Sequence, residues 1–303
     1  SADHDADGTI GLVVDAGTLM QRADMALYHA KKQGRNRYFW FEPSMESEMR
    51  FRNQLETGIR RGLARGEFVP FYEQQVDVES GALVGFEMLA RWRSPQLGVI
   101  SPDIFVPIAE EIGLINEMSE RLMEQAFADA REWDDSLTLS INISPVQLRD
   151  PWFAQRLLKR MVASNFPPQR LEIEITESVL MAETETSQRI IERLRQIGVG
   201  IAIDDFGTGY SSLAYLKRLR PHQLKIDRSF VNDTETDSDS RAIVKGVIGL
   251  ANALGLNVVA EGVETAEQQQ FLIEAGCHTL QGYFIAKPLS VDALEDWLRK
   301  RTA

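Results

Sequence analysis

The sequence predicts a (β/α)8 barrel preceded by a short fragment of an α+β domain, and three observations lead there. From Glu67 onward, short apolar runs alternate with longer amphipathic ones about eight times over roughly 235 residues, close to the ~250 that such a barrel needs. Successive short runs end in oxygen- or amine-bearing side chains, as strands do when their C-terminal ends surround one mouth. The first 66 residues do not share this rhythm. A doubly wound open sheet is the runner-up, but no Gly-rich phosphate loop follows the first strand.

Taken in order, residues 1–10 are polar and Asp-rich and read as loop. Thr18 to Gln33 reads as an amphipathic helix, with Leu19, Ala23, Ala26, Leu27 and Ala30 at helical spacing, Thr18 as cap and Gly34 as stop. The aromatic run Tyr38-Phe39-Trp40-Phe41 reads as a strand. A helix and one or two strands cannot close a core in about 40 residues. Residues 1–43 are therefore expected to be the end of a domain that begins upstream, and the charged, helix-prone stretch 44–66 a linker helix into a barrel of residues 67–303. Within the barrel, strands are predicted near 68–76, 83–90, 137–143, 171–176, 199–203, 222–226, 257–260 and 279–281. Helices are predicted around 103–111, 117–133, 152–163, 182–196, 211–218, 238–254, 265–274 and 291–300.

Bulk properties narrow the function. The net charge is −12 and no long basic run occurs, which argues against tracking along a nucleic-acid polymer. An acidic protein can still take a phosphorylated small molecule if metal ions bridge the two. Cys277 is the single cysteine, so there is no disulfide framework and a reducing, cytoplasmic setting is expected. No apolar run approaches the ~18–20 residues that span a bilayer. No membrane contact is expected of this chain, and an anchor outside it stays open.

The most informative stretch is Ile201-Ala202-Ile203-Asp204-Asp205-Phe206-Gly207-Thr208-Gly209-Tyr210. An apolar strand that runs into two adjacent carboxylates needs compensation for their charge, and a divalent cation supplies it. Reading the other predicted strand ends gives Glu87, Asn142, Glu174, Lys225, Glu261 and Gln281. Carboxylates with an amide oxygen and no His or Cys suit hard cations such as Mg2+ or Mn2+ rather than zinc. Each position has a plainer reading: Asp205 as a cap for the helix near Ser211, Asn142 as a turn residue before Pro145, Lys225 with Asp227 as a surface ion pair, Gln281 beside Gly282 as a loop residue. Their joint occurrence at one mouth favours a site. In Glu87-Met88-Leu89-Ala90-Arg91, period-two alternation puts Glu87, Leu89 and Arg91 on one face and Met88 on the other. Glu177, three residues past Glu174, is placed to brace the Gly-rich loop after Asp205.

The segment Ala23-Asp24-Met25-Ala26-Leu27-Tyr28-His29-Ala30-Lys31-Lys32-Gln33-Gly34-Arg35-Asn36 resembles the closing segment of GGDEF (diguanylate cyclase) domains. The nucleotide-handling signature of those domains is absent, so no cyclase activity is expected. From about residue 50 to 300 the chain resembles the EAL-domain family of cyclic di-GMP phosphodiesterases. The resemblance rests on Gly85-Phe86-Glu87-Met88-Leu89-Ala90-Arg91-Trp92, Ser140-Ile141-Asn142-Ile143-Ser144, Glu174-Ile175-Thr176-Glu177-Ser178 and Asp204-Asp205-Phe206-Gly207-Thr208-Gly209-Tyr210-Ser211-Ser212-Leu213. It continues in Leu224-Lys225-Ile226-Asp227, Ala260-Glu261-Gly262-Val263-Glu264 and Gln281-Gly282-Tyr283.

The resemblance implies a barrel, usually dimeric, that hydrolyses cyclic di-GMP to linear pGpG with two Mg2+ or Mn2+ ions. It implies Glu87, Asn142, Glu174 and Asp204 as ligands of one metal. Asp204 would bridge to a second, held also by Asp205 and, directly or through water, by Glu261. Lys225 would orient or activate the attacking water, Arg91 would contact phosphate, and Gln281, Glu73 and Leu89 would line the substrate side. Two departures stand out: the signature triplet reads Glu-Met-Leu, and the first strand carries Tyr72-Glu73-Gln74-Gln75 where many relatives have Tyr-Gln-Pro. A cyclic di-GMP receptor without turnover is the competing function. A metabolic barrel enzyme for another phosphorylated substrate would need the motif match to be accidental.

Overall fold

A five-residue connection decides the topology. Asp77 turns the chain by accepting from the Ser80 backbone N–H (2.8 Å) and hydroxyl (2.5 Å), and Gly81 takes the left-handed φ of 65° that the turn requires. Strands joined by so short a link pair antiparallel, because a parallel crossover takes a dozen or more residues. Hence β1 (Phe68–Asp77) and β2 (Leu83–Ser94) form a hairpin with Glu73 directly opposite Glu87. The computed structural model describes residues 15–177, 185–207 and 213–302.

Beyond the hairpin, β2 pairs in parallel with β4 (Thr138–Asn142), and the parallel order continues through β5 (Leu171–Thr176), β6 (Gly200–Phe206), β7 (Gln223–Ile226), β8 (Asn257–Ala260) and β9 (Thr279–Leu280). β9 then pairs antiparallel with β1 and closes an eight-strand barrel. The predicted barrel is present, with one strand running against the other seven. Two short strands, β3 (Gly98–Ile100) on β2 and β10 (Leu289–Ser290) on β1, extend the rim and were not expected.

Helices α3 (Pro102–Glu111), α4 (Ile115–Asp129), α5 (Phe153–Ala163), α6 (Glu185–Gln196), α7 (Leu213–Leu219), α8 (Arg228–Asn232), α9 (Ser238–Leu254), α10 (Ala266–Ala275) and α11 (Val291–Thr302) accompany the strands. Their apolar stripes meet the outward strand residues, such as Ile141, Ile173, Ile203, Leu224 and Ile226, all fully or almost fully buried. Stops are as the sequence dictates: Gly255 and Gly276 end α9 and α10 in left-handed conformations, and Thr265 with Gln268 forms a capping box at the start of α10. Sequence expectations for residues 178–184 and 208–212 lie outside the described residues.

The other strand face is polar. Across the lumen, Gln223 Nε2 donates to Glu172 Oε1 at 2.6 Å and Ser140 Oγ to the same oxygen at 3.3 Å, linking β4, β5 and β7. Most such barrels fill this space with Val, Ile and Leu. Here a second polar layer lies above the first, at the C-terminal strand ends.

The chain divides into two compact units, residues 1–61 and 62–303. In the first unit, α1 (Ala16–Lys32) is capped by Asp15, whose carboxylate accepts from Thr18 N–H at 2.8 Å; the cap therefore falls three residues before the expected Thr18. The run Tyr38–Phe41 is not a strand. Aromatic β-propensity is expressed only on a ladder with a neighbour, and among the described residues no strand pairs with it; Tyr38 and Trp40 are each 82% exposed. α2 (Pro43–Arg65) follows, one residue ahead at each end of the helix-prone stretch 44–66, and the division between the units falls inside it.

Candidate active site

Strand register brings the predicted residues together. Glu87 on β2 lies opposite Ser140 on β4, so the next inward residue of β4, Asn142, stands beside the Glu87 carboxylate and donates to Glu87 Oε1 at 2.6 Å. Asn142 in turn is paired with Glu174 on β5. On β6 the ladder slips between Ile203 and Phe206, and Asp205 takes φ 55°, a left-handed conformation rare outside glycine. That bulge lets two consecutive carboxylates, Asp204 and Asp205, both reach the mouth instead of pointing to opposite faces. Gly207 follows at φ 101°, and its N–H donates to Glu177 Oε2 at 3.0 Å. Glu177 thus accepts from the backbone at the residue two places past Asp205.

Lys225 is at the centre. Its side chain is fully buried, and Nζ lies 2.6 Å from Glu174 Oε2, 3.0 Å from Glu87 Oε2, 2.5 Å from Glu261 Oε1 and 3.6 Å from Asp204 Oδ1. The surface ion pair with Asp227 is ruled out: Asp227 instead caps α8 by accepting from Ser229 N–H at 3.0 Å. Gln281 donates from Nε2 to both Glu87 Oε2 (2.5 Å) and Glu73 Oε2 (3.1 Å), and Gln75 Nε2 holds its carbonyl at 3.1 Å. This amide separates the two glutamates that the hairpin sets opposite each other.

One ammonium cannot balance four carboxylates in a desolvated site. Burial, then the neighbouring negative charges, push Glu174 and Glu261 well above the usual carboxylate range, and Asp204 rises for the same reasons. Asp205 is pushed up to about 6 by burial and by Asp204, and Glu73 to about 7 by burial and by Glu87. Glu87 departs from this trend. Burial pushes it up, but Lys225 and the Gln281 and Asn142 amides outweigh that and hold it low. Burial pushes the Lys225 ammonium down, and the four carboxylates outweigh it and raise it well above its ordinary value. Glu174 Oε1 is buried with no hydrogen-bond partner.

Excess buried negative charge, an orphaned carboxylate oxygen and an all-oxygen donor set fit hard divalent cations. In the present arrangement Lys225 stands between the acids, and among the described residues no three of them converge as a preformed cation cage.

Above this layer opens a cavity of about 650 Å³. Glu87, Asp204 and Glu261 line it together with Glu73 and Gln281, and Leu89 and Arg91 share the cavity face of β2 with Glu87, as the alternation predicted; Met88 is buried on the other face. Arg91 donates to the Ala90 carbonyl at 2.9 Å and lies 5.7 Å from the Phe71 ring. Glu174 and Lys225 are fully buried behind this lining, whereas Asn142 is exposed at the end of β4 and does not line the cavity. Arg228 and Asp103 also line the cavity and were not singled out from the sequence. Arg228 follows directly on the Leu224–Asp227 motif, and that proximity was the available signal.

The geometry matches the family indicated by comparison with known proteins. The EAL domain model matches residues 56–288. The chain belongs to the EAL-domain family of cyclic di-GMP phosphodiesterases. It is 42% identical over 280 residues to the bifunctional diguanylate cyclase/cyclic di-GMP phosphodiesterase MucR of Pseudomonas aeruginosa, covering 91% of this chain and 41% of that protein. It is 37% identical over 264 residues to the cyclic di-GMP phosphodiesterase PA2567 of the same organism, covering 86% and 45%. The chain thus spans less than half the length of these curated relatives. Among solved structures, the MucR phosphodiesterase in complex with c-di-GMP superposes with a TM-score of 0.77 at 40% identity, covering 80% of this chain and 99% of that one. The EAL enzyme Bd1971, in its cAMP- and cyclic-di-GMP-bound form, gives 0.79 at 30% identity, covering 94% and 76%. No described helix of this EAL domain is long and apolar enough to cross a membrane.

Proposed function

We propose that the chain hydrolyses cyclic di-GMP to linear pGpG, and the observation that carries this is the buried Lys225 cluster under an open cavity. Glu87, Asn142, Glu174 and Asp204 would hold one Mg2+ or Mn2+ ion, and Asp204, Asp205 and Glu261 a second. When bound, such a pair supplies a water acidic enough to attack at neutral pH and cover for charge on the phosphoryl oxygens. The chain's own residues do the rest. Lys225, protonated throughout the neutral range, orients the attacking water and stabilises negative charge growing on the phosphate. Arg91 at the cavity wall holds a phosphate oxygen, and the Gln281 amide keeps Glu87 aligned. Water oxygen joins phosphorus as the bond to the 3′ oxygen breaks, leaving a 5′-phosphate and a free 3′-hydroxyl. Glu177 fixes the first turn after Asp205 and so the direction of its carboxylate.

Residues 1–43 are proposed as the closing segment of a GGDEF domain, and the active form as a homodimer. Incubation with cyclic di-GMP and Mn2+, with product separation, tests the reading: pGpG is expected. Intact ligand with measurable binding would sink hydrolysis and leave the receptor function. Glu87→Ala is expected to lose turnover while melting as a folded protein.

A further inference from the structure

Glu110 breaks a rule of its own helix. α3 ends on two adjacent acids, Glu110 and Glu111, and has no basic residue in its last turn, where the partial negative charge of the carbonyls favours cations. The Glu110 carboxylate is directed instead at a hydroxyl outside the helix. Ser144 Oγ donates to Glu110 Oε1 at 2.5 Å, the length of a charge-assisted bond. α3 can hold the carboxylate there because Phe105, Ile108 and Ala109 are buried. Phe105 packs edge-on against Phe68 of β1 and Trp92 of β2, with ring centroids 5.4 and 6.2 Å away.

Ser144 opens the turn by which the chain leaves β4. Pro145 presets the next residue, and the Gln147 N–H closes the turn on the Ser144 carbonyl at 2.9 Å. The Val146 N–H donates to Ser144 Oγ at 3.1 Å, and the Ser144 N–H donates to the buried Gln147 side chain at 3.2 Å. Those three bonds are internal to the turn, whereas the hydroxyl proton given to Glu110 ties it to α3. Asn142 lies just two residues earlier. It is exposed, so its direction comes from the backbone and from its bond to Glu87 rather than from packing. That backbone is held by β5 at Ile143, whose N–H donates to the Glu174 carbonyl at 3.0 Å, and by α3 at Ser144.

We propose that Glu110 is a positioning residue for the cation centre, acting through Ser144 to fix the direction in which Asn142 leaves β4. This rests on the phosphodiesterase reading above, in which Asn142 is a ligand. Glu110 touches neither ion nor substrate. A neutral amide ligand binds a cation only in one orientation, so a loosened turn costs affinity although every ligand is still present.

The test reads Mn2+ affinity of the metal-stripped chain by titration calorimetry, with melting in EDTA as the control for folding. Glu110→Ala and Ser144→Ala are each expected to weaken binding about 10- to 100-fold, the effect of losing a partner that orients a ligand, while still melting as folded proteins. Glu110→Gln keeps an acceptor for the Ser144 hydroxyl without the charge and should bind Mn2+ like wild type. In an Asn142→Ala background Glu110→Ala should add no further loss, because the ligand it positions is gone. Should Glu110→Ala fail to fold, Ser144→Ala carries the same comparison. Weakening in Glu110→Gln equal to that in Glu110→Ala would overturn positioning in favour of a field effect, and full additivity with Asn142→Ala would reduce Glu110 to a structural prop. Wild-type affinity in both Ala variants would overturn the tie altogether. A wild type that binds no Mn2+ refutes the metal-site reading itself, whereas binding that none of these variants alters refutes only this assignment.

Discussion

Replacing Lys225 with Met removes the cation at the centre of the four-carboxylate layer while keeping the length of the side chain. Taking one partner from a buried ion pair costs about 3–5 kcal/mol, because the other charge is left without compensation. Here Glu87, Glu174, Asp204 and Glu261 would all be left, and protonation of Glu174 and Glu261 relieves part of that. For a barrel of this size, 1 kcal/mol moves Tm by roughly 2–4 °C, so a loss on the order of 10 °C is expected in EDTA at pH 7. The sign with pH follows from the raised carboxyls. The folded state binds more protons than the unfolded one above the ordinary carboxylate pKa, so the variant regains stability as pH falls toward 5. Mn2+ should raise the Tm of the variant above its value in EDTA, since ions that bind only the folded site stabilise it. Differential scanning calorimetry in EDTA and in Mn2+ reads all three effects. A variant that melts with wild type in EDTA and ignores both pH and Mn2+ would refute the reasoning.

Three further outcomes are expected. Glu177→Ala should weaken Mn2+ binding about 10- to 100-fold, the usual effect of losing an outer-shell partner, measured by titration calorimetry; unchanged affinity would detach Glu177 from the site. Met88→Ala should cost about 2–5 kcal/mol in a urea melt through a buried cavity while KM stays near wild type, because Met88 faces away from the cavity; a large KM change would place it on the wrong face. At the other end of the barrel His222 Nε2 lies 2.5 Å from Glu172 Oε2. Burial lowers the His222 pKa, but the Glu172 partner outweighs it and raises it net. Its contribution is therefore full below the unfolded value near 6.5 and is lost as pH rises through the folded one. His222→Gln should flatten the stability curve just above pH 6.5, by no more than about 1 kcal/mol given the exposed ring; an unaltered curve would contradict the pairing.

Much of this was legible from period and position. Alternation along Glu87-Met88-Leu89-Ala90-Arg91 gave the faces of β2 correctly, and polar residues at successive strand ends did converge on one mouth. What local pattern could not give was pairing. The Asp77–Ala82 turn carried a hairpin signature in Ser80-Gly81, yet counting alternations treats every strand as parallel. The Tyr38–Phe41 run had strand propensity without a partner. Lys225 taken alone allowed a surface ion pair, and only the joint pattern of strand ends pointed to a site, because its four partners come from β2, β5, β6 and the end of β8, brought together by closure of the barrel. Arg228 escaped notice for a related reason: its place is set by Gly262, 34 residues later in the chain.

The central claim is that the Lys225 cluster is a two-cation centre for phosphodiester hydrolysis. Its most direct test is the Mn2+ stoichiometry of the metal-stripped chain by equilibrium dialysis, read alongside turnover of cyclic di-GMP in the same samples. Two ions per chain, with pGpG appearing only as the second site fills, is the predicted result. Full turnover in chelator, or saturation with no ion bound near Glu87, Glu174 and Asp204 as judged by their Ala variants, would contradict it.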